Sequence, residues 1–334
     1  RCARLRSLQS VSRVLYAIKA NSNAQLLRLV HGEGLGIECV SRGEAEHALR
    51  EVPRLAPREI LFTPNFAPRG EYAWALATGL QVTVDNPFVL REWPETFRGH
   101  DIFVRVDPGT GRGHHRHVRT GGKYSKFGVP IDEMDELIRL ADAAGARIVG
   151  LHAHVGSGVF DIGSWTDTGR QLASLLPRLP HCRAIDVGGG LGVPDRAGKP
   201  SLDLARLDAR LAEIRGELGD VALWLEPGRY VVAEAGVLLA RVTQTKRKGG
   251  SGYVGIATGM NSLIRPALYG AHHDIVNLTR LDVPATEVAD VVGPICETGD
   301  FLGHDRLLPP TREGDVLLIA TAGAYGAVMA SRYN

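Results

Sequence analysis

Residues 184–192 read Ala-Ile-Asp-Val-Gly-Gly-Gly-Leu-Gly, a short apolar run that leads directly into a row of glycines. The apolar run predicts a buried strand, and the glycines predict a turn whose backbone amides can approach an anion closely. Comparable runs of four to seven residues recur on both sides of this segment, with amphipathic stretches between them. Such alternation is typical of parallel strands that are joined by helical crossovers.

Eight such strands can be placed along the first two-thirds of the chain. They are predicted at 14–19, 36–40, 60–63, 81–84, 101–106, 148–154, 184–188 and 222–226, with helices at 24–31, 43–50, 131–144 and 202–218. Eight parallel strands predict a closed α/β barrel of the TIM type, (β/α)8, with its active site at the carboxyl ends of the strands. An open doubly wound sheet is the competing fold, but no strand is followed by a dinucleotide-binding fingerprint.

The pattern changes after residue 235. Strand-like runs at 237–245, 253–257, 287–292 and 316–319 are separated by turn signals such as Lys-Gly-Gly-Ser-Gly at 248–252. We therefore expect a barrel domain over 1–235 and a mostly antiparallel β domain over 236–334.

Composition narrows the class of protein. The 334 residues are 44% hydrophobic and 23% charged with a net charge of +2, which is ordinary for a globular enzyme and argues against a nucleic-acid partner. Neither a signal peptide nor a membrane span is evident. Cys2, Cys39, Cys182 and Cys296 form no CxxC pair, so reduced thiols and a cytoplasmic location are expected. Both ends look abrupt, which suggests a fragment of a longer polypeptide.

Several strand ends carry residues suited to catalysis. Lys19 ends the first strand, where desolvation would lower its pKa and leave a nucleophilic amine, although a surface lysine is the ordinary alternative. Glu38 ends the second strand. His152 and His154 would share one face of the sixth strand. No third ligand is evident, so we predict no metal; His154 suits stacking on a flat ring, and His152 suits a hydrogen-bonded core position.

The last strands supply an anion site and an acid. Ser157 lies in a Gly-Ser-Gly turn, and Gly188, Gly189 and Gly190 follow the seventh strand, where barrels commonly hold phosphate. Glu226 and Arg229 follow the eighth strand, either as functional groups or as an internal ion pair. An amine, a stacking ring, a phosphate cradle and an acid on one barrel face meet the requirements of pyridoxal phosphate.

Four strings carry a resemblance to a known group. They are YAIKANSN (16–23), HAHVGSG (152–158), DVGGGLG (186–192) and EPGR (226–229). They resemble the fold-type III pyridoxal-phosphate enzymes, which have an alanine racemase-like architecture. The resemblance implies that Lys19 forms the Schiff base, that His154 stacks on the ring and that Glu226 faces the pyridine nitrogen. It also implies that the three glycines, Ser157 and Arg229 bind the phosphate, with Glu38 among the cofactor-binding residues.

Three later strings resemble the diaminopimelate decarboxylase branch: RPALY (265–269), CETGD (296–300) and AYG (324–326). The resemblance implies that Arg265 and Tyr269 bind substrate together with Arg229, and that Tyr325 contacts the phosphate. Cys296, a further catalytic residue, and Glu297 would reach into the neighbouring subunit's site, which implies a homodimer with shared active sites. The implied reaction converts meso-2,6-diaminopimelate into L-lysine and carbon dioxide in lysine biosynthesis.

The chain also departs from the family pattern. Glu38 stands where the family commonly has aspartate, which keeps the charge. The N-terminal segment that feeds the β domain and the final strand are both missing, which supports the expectation of a fragment. The string GHHRHVRTGG (113–122) is similar to decarboxylases fused to an aspartate kinase, and the segment 121–128, which ends in SKFG, is also family-like.

Related functions remain as alternatives. Ornithine- and arginine-type decarboxylases usually carry aspartate after the cysteine, where this chain has Glu297. In alanine racemases an arginine typically faces the pyridine nitrogen, in place of Glu226. A non-catalytic cofactor carrier would lack the β domain that holds Cys296 and Tyr325, and a catalytically dead subunit of a fusion would lack some of the residues named above.

Overall fold

The computed structural model describes residues 1–109, 125–154 and 156–334. The chain divides into two compact units. The barrel unit comprises Arg1–Gly192 and Leu202–Tyr230, and the β unit comprises Val193–Ser201 and Val231–Asn334. The sequence placed the division after residue 235 and gave no sign that the segment 193–201 belongs with the β unit.

The barrel unit contains eight parallel strands that close on themselves, as the sequence predicted. In chain order the barrel strands are β1 (Arg13–Ala17), β2 (Gly36–Cys39), β3 (Ile60–Phe62), β4 (Gln81–Val84), β5 (Asp101–Asp107), β7 (Arg147–His152), β8 (Ala184–Asp186) and β9 (Ala222–Leu225), and a short β6 (Val129–Pro130) pairs with β5 outside the ring. The order around the ring is β4-β3-β2-β1-β9-β8-β7-β5, and pairing of β4 with β5 closes it. The carboxyl ends of all eight strands therefore lie on one face.

Helices connect the strands. They are α1 (Cys2–Arg6), α2 (Ala24–Gly32), α3 (Arg42–Glu51), α4 (Arg69–Thr78), α5 (Phe88–Glu92), α6 (Pro94–Phe97), α7 (Met134–Ala144), α8 (Gly163–Ala173), α9 (Leu204–Glu217), α10 (Arg229–Val232) and, in the β unit, α11 (Arg265–Tyr269). Short polar side chains cap the longer ones: Asn23, Ser41 and Asp203 accept hydrogen bonds from the first free backbone amides of α2, α3 and α9. Within the described residues no helix has the length and apolar character that a membrane crossing requires.

Large side chains fill the barrel interior. Leu15, Leu61, Val149, Phe103 and Trp224 pack in one cluster, and the rings of Phe103 and Trp224 lie 5.2 Å apart. A Cβ atom on Gly150 would approach the Phe103 ring to 2.2 Å, so glycine is required there for the ring to fit. The interior is thus a packed core and leaves the strand ends to carry chemistry.

The β unit is built on a six-stranded sheet with the order β12-β15-β10-β11-β13-β14. Its strands are β10 (Leu238–Lys248), β11 (Ser251–Ile256), β12 (Ile275–Asn277), β13 (Glu287–Val292), β14 (Phe301–Leu308) and β15 (Val316–Ile319). All pairings are antiparallel except β11 with β13. The sequence did not reveal β12, which has three residues, or β14, whose central Gly303-His304-Asp305 interrupts the apolar alternation.

Three predicted strands extend too far at their carboxyl ends. The structure ends β1 at Ala17, β7 at His152 and β8 at Asp186, where the predictions ran to 19, 154 and 188. The ladders stop because the chain turns: Lys19 lies in a 3-10 turn (Ile18–Ala20), and the next residues of β7 and β8 enter loops. His152 and His154 therefore do not share a strand face, which corrects the prediction.

Candidate active site

Lys19 and Glu38 meet at the ends of two neighbouring strands. Ala17 and Glu38 are paired in the β1–β2 ladder, so the turn that follows Ala17 brings the Lys19 ammonium to the Glu38 carboxylate at 2.5 Å. The Lys19 side chain is 38% exposed, whereas that of Glu38 is 1% exposed. The hydroxyl of Thr63, which follows β3, donates a hydrogen bond to the other Glu38 oxygen. The surroundings of Lys19 are thus ionic, and the desolvated amine expected from the sequence is not what the fold provides.

Glu226 lies one residue beyond β9 and is buried. Its Oε2 accepts a hydrogen bond from Nε2 of buried His152 at 3.0 Å. Burial alone would raise the pKa of Glu226, but the hydrogen bond and charge of His152 and the positive charge of Lys19 more than offset this effect and lower it. Glu226 therefore stays ionised. Its second oxygen, Oε1, is buried and has no hydrogen-bond partner among the described residues.

Asp186, at the end of β8, has the opposite tendency. Burial and the negative charge of nearby Glu226 raise the pKa of Asp186 well above its usual range, because two close carboxylates do not readily ionise together. Ligand atoms of His152, Asp186 and Glu226 lie within 4.8 Å of one another. The sequence showed no third ligand beside the histidines because these carboxylates follow other strands. The absence of a bound metal remains a prediction.

His154 lies in the loop after β7, next to the glycine run. The backbone N–H of Gly189 donates to Nδ1 of His154 at 3.2 Å, which requires an unprotonated Nδ1. Loss of hydration lowers the pKa of His154 to about 3, and the positive charges of Arg105 and Lys19 act in the same direction. The ring is therefore neutral near pH 7, as stacking on an uncharged face of a ligand requires.

The glycine run after β8 is shaped by close packing against neighbouring loops. Gly188 and Gly190 have φ values of +73° and +83°, a region that favours glycine. A Cβ on Gly189 would lie 2.0 Å from the carbonyl oxygen of Glu226, and one on Gly190 would lie 2.1 Å from that of Gly156. The glycines thus allow the loops after β7, β8 and β9 to converge, a steric role that the sequence did not indicate.

Two polar side chains meet beside this cradle. The Nη2 and Nε atoms of Arg229 donate to the hydroxyl oxygen of Ser157 at 3.1 and 3.3 Å. Arg229 follows β9 and Ser157 follows β7, so the pair joins the same two loops that the glycines bring together. A guanidinium beside a hydroxyl and a glycine turn is a suitable donor set for phosphate or carboxylate.

Arg105 was missed by sequence reasoning. It is buried within β5, its Nε lies 4.0 Å from Oδ1 of Asp85, and its guanidinium lies 4.4 Å from the centre of the Phe127 ring. Burial lowers the pKa of Arg105, while the carboxylates of Asp85, Glu226 and Glu38 oppose this change. An arginine inside an otherwise apolar strand was the available signal. Of the family-like segment 121–128, only 125–128 lies within the described residues, and the string at 113–122 lies outside them.

The other predicted residues belong to the β unit. Arg265 is buried at the start of α11, and Tyr269 ends that helix. Cys296 and Glu297 are exposed, and Glu297 accepts a hydrogen bond from the hydroxyl of Tyr333 at 2.6 Å. Tyr325 has a φ of +56°. All five of these residues belong to the β unit.

Buried Asp300 holds the loop that presents Cys296 and Glu297. Its carboxylate accepts hydrogen bonds from the backbone amides of Met260 at 2.6 Å and Ile295 at 2.8 Å. A Cβ on Gly259 or Gly293 would approach this carboxylate to 2.4 Å, so both glycines are needed for the close packing. The last residue of the CETGD string thus anchors the first two.

The barrel site fits pyridoxal phosphate on structural grounds. The unpartnered buried Oε1 of Glu226 requires a donor, and a protonated ring nitrogen supplies one. Neutral His154 offers a flat ring, the Ser157–Arg229 pair offers anion donors, and Lys19 offers the amine. The residues present therefore fit the cofactor that the sequence predicted.

Comparisons with known proteins agree with this geometry. Residues 1–233 match the family described as pyridoxal-dependent decarboxylase, pyridoxal binding domain. The chain is 39% identical to a diaminopimelate decarboxylase of Methanothermobacter thermautotrophicus, over 96% of this chain and 77% of that protein. It is 37% identical to one of Streptomyces coelicolor, over 99% of this chain and 79% of that protein.

A solved diaminopimelate decarboxylase structure has the same fold as this chain. The diaminopimelate decarboxylase of Helicobacter pylori, crystallised in complex with L-lysine, superposes with a TM-score of 0.90 at 31% identity. The match covers 99% of this chain and 84% of that one.

Proposed function

The chain belongs to the pyridoxal-dependent decarboxylases and, within them, to the diaminopimelate decarboxylases, and from this premise we propose that it converts meso-2,6-diaminopimelate into L-lysine and carbon dioxide. The observation that carries the proposal is the state of Glu226. This carboxylate is ionised, held through one oxygen by His152, and has its other oxygen buried and unpartnered among the described residues. That arrangement suits a residue that keeps a heterocyclic nitrogen protonated.

The residues that would hold pyridoxal phosphate come mainly from the barrel unit. When bound, the cofactor supplies an aldehyde for an amine and a ring that accepts electrons. Lys19 offers the amine, His154 the stacking surface and Glu226 the partner of the ring nitrogen. The phosphate is assigned to a set of loop residues: Ser157, Gly188, Gly189, Gly190, Arg229 and Tyr325. Glu38 holds the Lys19 ammonium at 2.5 Å and so fixes the direction from which the amine acts.

Glu226 contributes through electrostatics. A carboxylate fixed in a buried site stabilises the positive charge on the ring nitrogen without reorganising water during the reaction. Its position is set by His152 and by the β8–β9 pairing, in which Asp186 lies beside Trp224. The carboxylate also argues against the racemase alternative, in which an arginine faces the ring nitrogen and, being a donor only, leaves it unprotonated.

The far end of the substrate carries both an amine and a carboxylate, and this end is retained in L-lysine. We assign the distal carboxylate to Arg265 and Tyr269, with Arg229 as a further contact. The distal amine is assigned to Glu297, because an ammonium pairs with a carboxylate. Cys296 or Lys19 then returns a proton to the carbon that has lost carbon dioxide.

We also propose that two copies of the chain form a homodimer with shared active sites. In this arrangement Cys296 and Glu297 serve the site of the other copy, as the motif resemblance implies. Their exposure on the surface of the β unit supports the assignment. The cytoplasm is the proposed location, since the four cysteines form no disulfide and reduced thiols are the rule there.

The reaction is tested by carbon dioxide release from purified protein with added pyridoxal phosphate. Meso-diaminopimelate, ornithine, arginine and lysine are offered in parallel. We expect release from diaminopimelate alone. Release from another of these amino acids would keep the chemistry and overturn the substrate, and a lack of release despite bound cofactor would contradict the proposed activity.

A further inference from the structure

The turn after α11 brings a histidine back to the start of that helix. Gly270 ends α11 in the left-handed conformation, with φ of +60°. Its N–H donates to the carbonyl of Pro266 at 2.9 Å, and the next amide, of Ala271, donates to the carbonyl of Arg265 at 3.3 Å. The chain therefore reverses, and His273 lies beside the Arg265 side chain.

His273 has a defined tautomer. Its ring is fully buried, and Nδ1 lies 2.8 Å from the carbonyl oxygen of Ala320, the residue after β15. A carbonyl only accepts hydrogen bonds, so Nδ1 carries the proton and Nε2 of the neutral ring is an acceptor. The backbone is fixed at the same place, because the N–H of Ala320 donates to the carbonyl of Asp274 at 2.9 Å.

The second ring nitrogen of His273 accepts a hydrogen bond from Arg265. The Nη1 atom of Arg265 donates to Nε2 of His273 at 3.1 Å, and the arginine side chain is itself buried, with 7% exposure. A guanidinium has five N–H donors in one plane, so a single hydrogen bond to one nitrogen restricts the rotation of the whole fork. The opposite ring nitrogen is hydrogen-bonded to Ala320 and the ring is fully buried, and both features restrict movement of the imidazole.

We propose that His273 is a positioning residue, which orients the guanidinium of Arg265 toward the distal carboxylate of the substrate. This inference rests on the proposed function, in which Arg265 binds that carboxylate. Two-point pairing between a guanidinium and a carboxylate depends on orientation in the plane of the fork. A guanidinium that is already oriented loses less conformational entropy when the carboxylate binds. His273 therefore strengthens binding without contacting the substrate.

The neighbouring His272 provides a matched control. It receives a hydrogen bond from Nη1 of Arg306 at 2.7 Å on Nδ1, and its Nε2 lies 2.9 Å from Oδ1 of Asp274. Among the described residues His272 makes no hydrogen bond with Arg265, and its side chain is only 15% exposed. A substitution at His272 thus perturbs the same turn without removing the hydrogen bond to Arg265.

The experiment compares His273→Leu, His273→Gln and His272→Leu in the holoenzyme. His273→Leu should raise KM for diaminopimelate about ten- to hundredfold, as expected for loss of one hydrogen bond to a charged group, with little change in kcat. The inhibition constant of L-lysine, which retains the distal carboxylate, should rise in parallel. That of 1,5-diaminopentane, which lacks this carboxylate, should not change. His273→Gln keeps an acceptor for Arg265 and should recover most of the affinity, and His272→Leu should leave both inhibition constants near their normal values.

Arg265→Met separates the inference from the function on which it rests. If Arg265→Met raises KM and His273→Leu does not, the inference is wrong and the proposed function stands. If Arg265→Met leaves KM unchanged, the assignment of the distal carboxylate fails, and the inference fails with it. The double variant His273→Leu/Arg265→Met should have the same KM as Arg265→Met alone, because the two residues act on one contact. Equal losses of L-lysine and 1,5-diaminopentane binding, or a lowered melting temperature without rescue by glutamine, would indicate a structural role and overturn the proposal.

Discussion

Glu226 and Asp186 are neighbouring carboxyl groups whose pKa values are shifted in opposite directions. Both are buried at the ends of adjacent strands, but only Glu226 receives the hydrogen bond from His152. The pKa of Glu226 is lowered, whereas burial and the charge of Glu226 raise that of Asp186. The site therefore favours a negative charge on Glu226 and disfavours one on Asp186.

The fixed charge leads to a prediction for Glu226→Gln. The amide keeps the size of the side chain but cannot stabilise a protonated ring nitrogen, so kcat should fall by about 10²- to 10³-fold while the cofactor still binds. Turnover and visible absorbance measure the two effects separately. Lys19→Ala serves as the control, because it should remove the absorbance of the covalently held cofactor. Full activity in Glu226→Gln would exclude the residue from the mechanism.

His154 predicts how stability depends on pH. Its pKa is about 3 in the folded protein and near 6.5 in the unfolded chain, because the site excludes water and holds positive charges. The unfolded state therefore binds more protons between these values. The contribution of His154 to the free energy of unfolding is complete above pH 6.5 and is lost as the pH falls toward 3.

The effect is measured by chemical denaturation of cofactor-free protein at pH 7 and pH 5. The normal protein should lose more stability between these conditions than His154→Phe, which has no titrating group at this position. Exposed His181 supplies a control, since His181→Phe should retain the full loss. Equal losses in the normal protein and His154→Phe would show that the ring is not held neutral.

At the scale of elements, three loops converge because glycine follows β8. An alanine at position 189 would place Cβ 2.0 Å from the carbonyl oxygen of Glu226, and a shift of this backbone atom would also move the Glu226 side chain. Gly189→Ala should therefore lower the free energy of unfolding by about 2–4 kcal/mol and reduce cofactor affinity.

The matched control for this prediction is Gly43→Ala in α3. A Cβ there would meet no described atom within 4 Å, and the site is helical, so alanine should be neutral or stabilising by up to about 1 kcal/mol. Thermal denaturation of both variants, with and without pyridoxal phosphate, gives the comparison. A Gly189→Ala protein as stable as Gly43→Ala would contradict the steric argument.

At the scale of the whole molecule, the proposed homodimer predicts complementation between inactive variants. Lys19→Ala lacks the amine of one site and Cys296→Ala lacks a residue that serves the other copy. In a mixed dimer one of the two sites has both residues intact. Mixing the variants after dissociation and reassociation should restore part of the activity, measured as carbon dioxide release. Each variant alone gives the baseline, and a mixture that stays at that baseline would place Cys296 and Lys19 in sites formed within one chain.

The sequence alone determined the architecture of the barrel and predicted which residues follow the ends of its strands. Eight apolar runs with helical spacers allow few other folds, and parallel strands necessarily bring Lys19, Glu38 and Glu226 to one edge. The later motifs pointed to the substrate class through resemblance. These conclusions depend on apolar runs and short motifs, which are local features of the sequence.

Only the tertiary structure decided which groups touch. The sequence does not show that Glu38 neutralises Lys19, that His152 holds Glu226, that Arg105 faces the same site, or that His273 turns back to Arg265. The hydrogen-bonded pairs among them are separated by between 8 and 74 positions in the sequence. No local sequence pattern therefore links their members. The sequence also misplaced the carboxyl ends of three strands, because a strand ends where the chain turns away from its hydrogen-bonded neighbour. Protonation states depend on these contacts and on burial, and both arise only when the chain has folded.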